Sequence, residues 1–256
     1  MHAPLRNKVA LVTGASRKAG IGAAIARELA KAGADLLLAY YRPYDKTKPW
    51  PSDPDETSAL IADLRGLGVR VEGIEVDLAE PSSAKGIIDR THDLFGGLDI
   101  LVNNAAHSES ASFETLDAAG LDQHYAVNVR ATALLCAEFA RRHPRGRSGR
   151  IINLTSGQGL HPMPGEIAYA ASKGAIDAFT VSLSAELTSR GITVNAIDPG
   201  PTDTGWMEAD LKERLQRQAP TGRVGLPDDA AKLVLFLASD EAGWVTGQIL
   251  RSRGGF

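Results

Sequence analysis

Residues Val9 to Val12 form a short apolar run, which breaks into Thr13-Gly14-Ala15-Ser16-Arg17-Lys18-Ala19-Gly20-Ile21-Gly22 and continues at once as a helical stretch, AAIARELAKAG. A strand that feeds a helix through a Gly-rich turn commits the chain to a parallel sheet, because the helix lies back over the sheet and returns the next strand in the same direction. The glycines let the backbone come close to a pyrophosphate, and the helix N-terminus adds unpaired amides and a partial positive charge. Such a turn carries meaning only between a strand and a helix, which is the context here.

The alternation continues along the chain. Strands are predicted at 8–13, 35–40, 70–76, 99–103, 149–155, 192–198 and 247–250, and helices at 21–32, 56–66, 81–95, 117–142, 168–190, 206–218 and 227–238. Runs such as Leu36-Leu37-Leu38-Ala39 suit strands buried on both faces. The expected fold is α/β, a Rossmann-type doubly wound parallel sheet of about seven strands with helices on both faces. No linker divides the chain, so residues 1–256 are expected to form a single domain.

Composition excludes more than it identifies. The chain has 256 residues, 43% of them hydrophobic, which is enough for one α/β core. A net charge of -3 gives no reason to expect nucleic acid or an anionic membrane as a partner. The lone cysteine, Cys136, sits among Ala and Leu and is expected to pack in a helix. No signal-peptide-like stretch precedes the first strand, no apolar run reaches the ~18 residues of a membrane span, and no metal ligands are assigned. The cytoplasm is the expected location.

The chemistry concentrates in YAASK. Tyr169 and Lys173 are four residues apart, thirteen after Ser156, and a helix carries i and i+4 on one face. A free phenol titrates near ~10, and bringing it close to neutrality takes roughly three pKa units, about 4 kcal/mol. An adjacent ammonium favours the phenolate and makes Tyr169 a candidate proton donor. Taken singly, a Tyr is more often a packing residue and a helix Lys a solvated one. The combination with the Gly-rich turn favours chemistry.

With those residues, the chain resembles the short-chain dehydrogenase/reductase family from about Lys8 to Gly255. The family's landmarks fall in order: Asp77 in EVDL, Asn103-Asn104-Ala105-Ala106, Asn128 in YAVNVRA, Ser156 in INLTS, Tyr169 with Lys173, then Pro199-Gly200 and Thr204. The resemblance implies that Ser156 steadies a substrate carbonyl oxygen and Tyr169 exchanges a proton with it. It implies that Lys173 holds the nicotinamide ribose and lowers the Tyr169 pKa, and that Asn128 positions a water leading to solvent. It also implies that Gly14, Ser16, Gly20, Ile21 and Gly22 line the pyrophosphate, Asp77 and Leu78 the adenine, and Asn104 and Ala105 the adenosine ribose. Pro199, Gly200, Thr202 and Thr204 would meet the nicotinamide and phosphates. Gln158, His161, Met163, Glu166 and His107 are candidates for the substrate pocket.

A carboxylate about 20 residues beyond the glycines binds a free ribose 2'-hydroxyl. Counting from Gly22 reaches Arg42 instead. With Arg17 or Lys18 as a second cation, this favours NADP(H), NAD(H) being the alternative. The turn is two residues longer than the family's TGxxxGIG. Arg42 to Asp55, with prolines at 43, 49, 51 and 54, is expected to be an extended loop without regular structure, and 201–227 a lid. Arg253 stands where relatives carry an acid before the terminal glycines, which removes any pairing by that acid. The resemblance implies a homotetramer, with a dimer as the alternative. The expected activity is NADP(H)-dependent oxidoreduction of a carbonyl or secondary alcohol, in the style of 3-oxoacyl-[acyl-carrier-protein] reductases. A reductase of sugars, steroids or secondary metabolites, or a non-catalytic dinucleotide-binding regulator, is the alternative.

Overall fold

The computed structural model of the chain describes residues 3–48, 50 and 53–256. Seven strands, β1 (Val9–Thr13), β2 (Asp35–Tyr40), β3 (Val71–Glu75), β4 (Ile100–Asn103), β5 (Gly149–Leu154), β6 (Ile192–Asp198) and β7 (Ile249–Arg251), form one sheet in the order β3-β2-β1-β4-β5-β6-β7. Every pair is parallel; Leu11, for example, lies opposite Leu37 on one side and Leu101 on the other. Strand residues alternate between two buried layers. Ala10, Val12, Leu36, Leu38, Ile100 and Val102 face one layer, while Val9, Leu11, Leu37, Ala39 and Leu101 face the other. Burial on both faces explains why the central strands read as unbroken apolar runs.

The helices cover both faces. On one side α1 (Ile21–Lys31) and α9 (Pro227–Ala238) pack together through Ala23, Ala26, Ala30, Ala231 and Val234, small side chains that let the two helices approach closely. The other side holds α4 (Ser83–Phe95), α6 (Thr132–Arg142) and α7 (Ile167–Leu187), with Ile87, Leu135, Cys136 and Phe139 fully buried. Truncating a residue such as Phe139 to Ala would cost about 3–5 kcal/mol. The shorter α3 (Glu56–Arg65) and α8 (Ala209–Gln218) complete the regular helices outside the regions where the expectations need correction.

Two expectations do change. The excursion after β2 contains regular structure: Arg42–Asp45 forms one helical turn, α2, with Pro43 in its first turn, where its missing N–H costs nothing. Pro49 and Pro51 lie outside the described residues. The helix expected over 117–142 is interrupted as well. It runs as α5 (Ala118–His124), then a π-helical segment Tyr125–Ala131, then α6. Asn128 sits in that wider segment, a form of helix that concentrates at functional sites.

Candidate active site

β1 is flanked by β2 on one side and β4 on the other, so the connections leave in opposite directions and open a crevice at the carboxyl ends of the strands. A cavity of about 1240 Å³ occupies that crevice. The Gly-rich turn forms one wall. Gly14 has φ +71°, and a Cβ there would come within 2.7 Å of Ala105 Cα, so only glycine fits. The Asn104 side chain clamps the turn by donating from Nδ2 to the Thr13 and Gly14 carbonyls at 2.9 and 3.0 Å. Ser16, Arg17, Gly20 and Ile21 line the cavity, and α1 has no side-chain cap at Gly20, so its first amides are available to an anion. The cradle fits a diphosphate. Gly22 does not line it. A Cβ on Gly22 would lie 2.5 Å from the Gly14 carbonyl oxygen, so its role is packing of the helix against the turn. Asp77, Leu78, Asn104, Ala105, Pro199, Gly200, Thr202 and Thr204 all border the space.

β5 and α7 bring the proposed chemistry together. Ser156 and Tyr169 line the cavity, and the serine hydroxyl favours the phenolate form of Tyr169. Lys173 lies behind them, 3% exposed, with Nζ donating to the Leu154 carbonyl at 2.7 Å and standing 5.6 Å from the Tyr169 ring centre. Asn128 is buried too. Its Oδ1 accepts from the His107 amide at 2.7 Å, while Nδ2 donates to the His107 carbonyl and to Ser172 Oγ, both at 2.9 Å. The π-helical segment places that amide against two distant segments at once. Burial, rather than the neighbouring ammonium, dominates the titration of Tyr169 as placed here. Burial pushes the phenol up to about 12, and burial likewise pushes Lys173 down to about 8. Desolvation is the largest influence on both groups.

The excursion folds into the crevice. Tyr44 Oη accepts from the Ser108 amide at 3.0 Å and donates to the Ser108 carbonyl at 3.2 Å, and Lys48 Nζ donates to the same carbonyl at 2.8 Å. The Tyr44 ring packs against His107, and the Arg17 guanidinium lies over Trp50 at 4.4 Å. Arg17 also approaches buried Asp45 at 3.7 Å and donates to the Thr204 carbonyl at 3.2 Å. Arg42, the cation expected at the ribose, does not line the cavity. Tyr44 of α2 and Lys48 just beyond it line the cavity, whereas Arg42 and Lys46 do not. Arg17 and Lys48 are therefore the cations of this region.

At the far end, His107, His161, Met163 and Glu166 line the cavity as expected, and Gln158 does not. Gln158 Nε2 instead donates to Asp177 Oδ2 at 2.5 Å, behind the wall. Several residues were not foreseen: Tyr44 and Lys48, Trp206 and Arg214 of the 201–227 segment, and Arg253 from the chain's last segment. Arg253 Nη1 pairs with buried Asp198 at 2.9 and 3.2 Å. The charge at Asp198, directly before Pro199-Gly200, was the available signal for a partner at Arg253.

A family profile described as enoyl-(acyl carrier protein) reductase matches residues 14–256. An oxidoreductase of Bacillus subtilis named YjdA is 50% identical over 253 residues, covering 98% of this chain and 97% of that protein. The 3-oxoacyl-[acyl-carrier-protein] reductase FabG of Aquifex aeolicus is 32% identical, covering 100% and 99% of the two chains. A crystal structure of a short-chain dehydrogenase from Burkholderia cenocepacia in complex with NADP superposes with a TM-score of 0.88 at 38% identity, covering 98% of each chain. The chain belongs to the short-chain dehydrogenase/reductase family.

Proposed function

We propose that this short-chain dehydrogenase/reductase moves hydride between NADP(H) and a carbonyl or secondary alcohol. The observation that carries the reading is a Tyr169 phenol and a Ser156 hydroxyl sharing one cavity with an uncapped helix N-terminus and its Gly-rich turn. When bound, the nicotinamide supplies or accepts the hydride. The chain's own residues do the rest. Ser156 donates a hydrogen bond to the substrate oxygen, and Tyr169, protonated at neutral pH, delivers the proton that the oxygen needs on reduction. Lys173 spends one donor on Leu154 and offers its others to ribose hydroxyls. Asn128 fixes the His107 backbone at the cavity wall.

NADP(H) rather than NAD(H) is supported by Arg17 and Lys48 on the lining, and by the NADP complex of the related dehydrogenase. A 3-oxoacyl thioester is the finer substrate reading, supported by the FabG relative. The chain works as one domain in a homotetramer in the cytoplasm: Trp244 is 99% exposed and Phe236 of α9 40%, apolar surface that a second copy would cover. No helix among the described residues is long and apolar enough to cross a membrane.

Incubating the purified protein with NADPH and a panel of ketones, aldehydes and 3-oxoacyl thioesters tests the reading. Oxidation of NADPH with at least one of them is the expected result. Tight NADPH binding without oxidation across the panel would overturn it in favour of a dinucleotide-binding regulator.

A further inference from the structure

Arg253 carries a nearly buried charge on the cavity wall. Its side chain is 11% exposed and its ion-pair partner Asp198 3%, so two charges are taken out of water at the end of β6. Such a pair is weak support for stability, since desolvation offsets much of the attraction. The pairing is also incomplete. Both contacts to Asp198 come from Nη1, while Nε is buried with no acceptor and Nη2 donates to no group among the described residues. The unused edge of the guanidinium, Nε with Nη2, is the one that matches a planar oxyanion in a fork.

The fold makes room for this group beside the reacting center. A Cβ on Gly157, next to Ser156, would lie 2.4 Å from Arg253 Nη1, and one on Gly200 2.9 Å from its Cγ. Two glycines thus open the slot through which the side chain reaches the cavity. Holding the tail does not require the ion pair. The Ser252 amide already donates to the Asp198 carbonyl at 2.8 Å, and Gly254 and Gly255 run against Thr221 and Pro220, just beyond α8.

A second cation stands on α8. Of its three basic residues, Lys212 pairs with Asp203 and Arg217 with Glu213, whereas Arg214 has no ion pair among the described residues and is the one that lines the cavity. Arg214 lies six residues before Pro220, which the tail packs against. Two guanidinium groups with unused donors therefore line the same cavity.

We propose that Arg253 and Arg214 form an oxyanion-recognition site, and that the substrate is a carbonyl compound carrying a carboxylate or phosphate a few bonds from the reacting carbon. The proposal rests on the carbonyl-reductase reading and departs from the 3-oxoacyl thioester, which carries no such anion near its ketone. Both residues are specificity determinants and take no part in proton or hydride transfer.

Matched pairs test it: levulinate against methyl levulinate, and dihydroxyacetone phosphate against dihydroxyacetone, each with NADPH. At least one anion should exceed its neutral partner by about tenfold or more in kcat/KM, chiefly through KM, and whichever pair shows this names carboxylate or phosphate as the source. The double variant Asp198→Asn/Arg253→Met, which leaves no lone buried charge, should lower that ratio about tenfold, and Arg214→Met, on an exposed helix face, about threefold. Neutral partners preferred in both pairs, or a ratio unmoved in the double variant, would overturn the proposal. Calorimetric titration of levulinate and of dihydroxyacetone phosphate into the protein saturated with NADP+ separates this outcome from failure of the reductase reading. Saturable binding lost in the double variant, without turnover of any carbonyl, would sustain the anion site and sink the reductase. Turnover of neutral carbonyls alone would do the reverse.

Discussion

The floor and the rim of the cavity are built on opposite principles. The floor, with Ser156 and Tyr169 on the cavity and Asn128 and Lys173 behind them, hangs on β5, α7 and the π-helical segment, and the buried Asn128 and Lys173 side chains are held largely by backbone groups. The rim comes from segments outside the central sheet: the excursion with Tyr44 and Lys48, the 201–227 segment with Trp206 and, on α8, Arg214, and the tail with Arg253. It is held by contacts over long sequence separations, such as Arg17 to Thr204, 187 residues apart. A floor locked by buried hydrogen bonds can carry one chemistry with precision, while a rim outside the sheet can change without disturbing it. The same molecule therefore separates reaction type from substrate choice.

Substitutions on the two sides should differ in size and in kind. The largest effect is expected at the floor: Tyr169→Phe should lower kcat by about 10²–10⁴-fold while NADPH affinity, read by fluorescence titration, stays within a few-fold. Loss of affinity in proportion to rate would erase the distinction. Next comes the turn beneath the floor, where Gly14→Ala places a Cβ 2.7 Å from Ala105 Cα at φ +71° and should destabilize the fold by about 2–4 kcal/mol in denaturant melts. The floor should also set the alkaline limit of the free enzyme. Because burial lowers Lys173 to about 8, its ammonium is present below that pH and lost above it, so kcat/KM for reduction should fall about tenfold per pH unit beyond about 8. The sign for stability is opposite: the buried charge destabilizes the fold below about pH 8, and that penalty fades as pH rises from there toward the ordinary lysine value.

Rim changes should be smaller and should act through binding. Arg17→Ala should raise KM for NADPH about tenfold with a lesser effect on NADH, and equal effects on both cofactors would remove Arg17 from 2'-phosphate recognition. The smallest change is Tyr44→Phe, which removes the hydroxyl bonds to Ser108 and should cost about 1 kcal/mol, seen as a modest rise in KM without loss of kcat. A collapse of kcat in this variant would place the excursion on the floor side of the comparison.

The floor was legible in the sequence and the rim largely was not, for physical reasons. Strands such as Leu36 to Ala39 announce themselves because burial on two faces demands continuous apolar residues. Tyr169 and Lys173 are one helical turn apart, so local periodicity alone puts them together. Counting twenty residues beyond Gly22 reached Arg42, but Arg42 starts the helical turn Arg42–Asp45 and does not line the cavity, whereas Arg17 does. Gln158 looked inward by position, yet Asp177, nineteen residues on, captures its amide. The π-helical segment escaped notice because YAVNVRA has ordinary helical composition. Its extra width follows from Asn128 reaching His107 and Ser172, partners that sequence spacing does not reveal.

That widened segment has an implication for how such an enzyme is edited. Removing one residue between Tyr125 and Ala131 would let α5 and α6 wind as a continuous α-helix, with the flanking helices kept close to their present register and only the local widening around Asn128 lost. Asn128 would lose its aim. A shortened chain of this kind would gain regularity and forfeit the alignment, so the surplus residue trades local economy for direction.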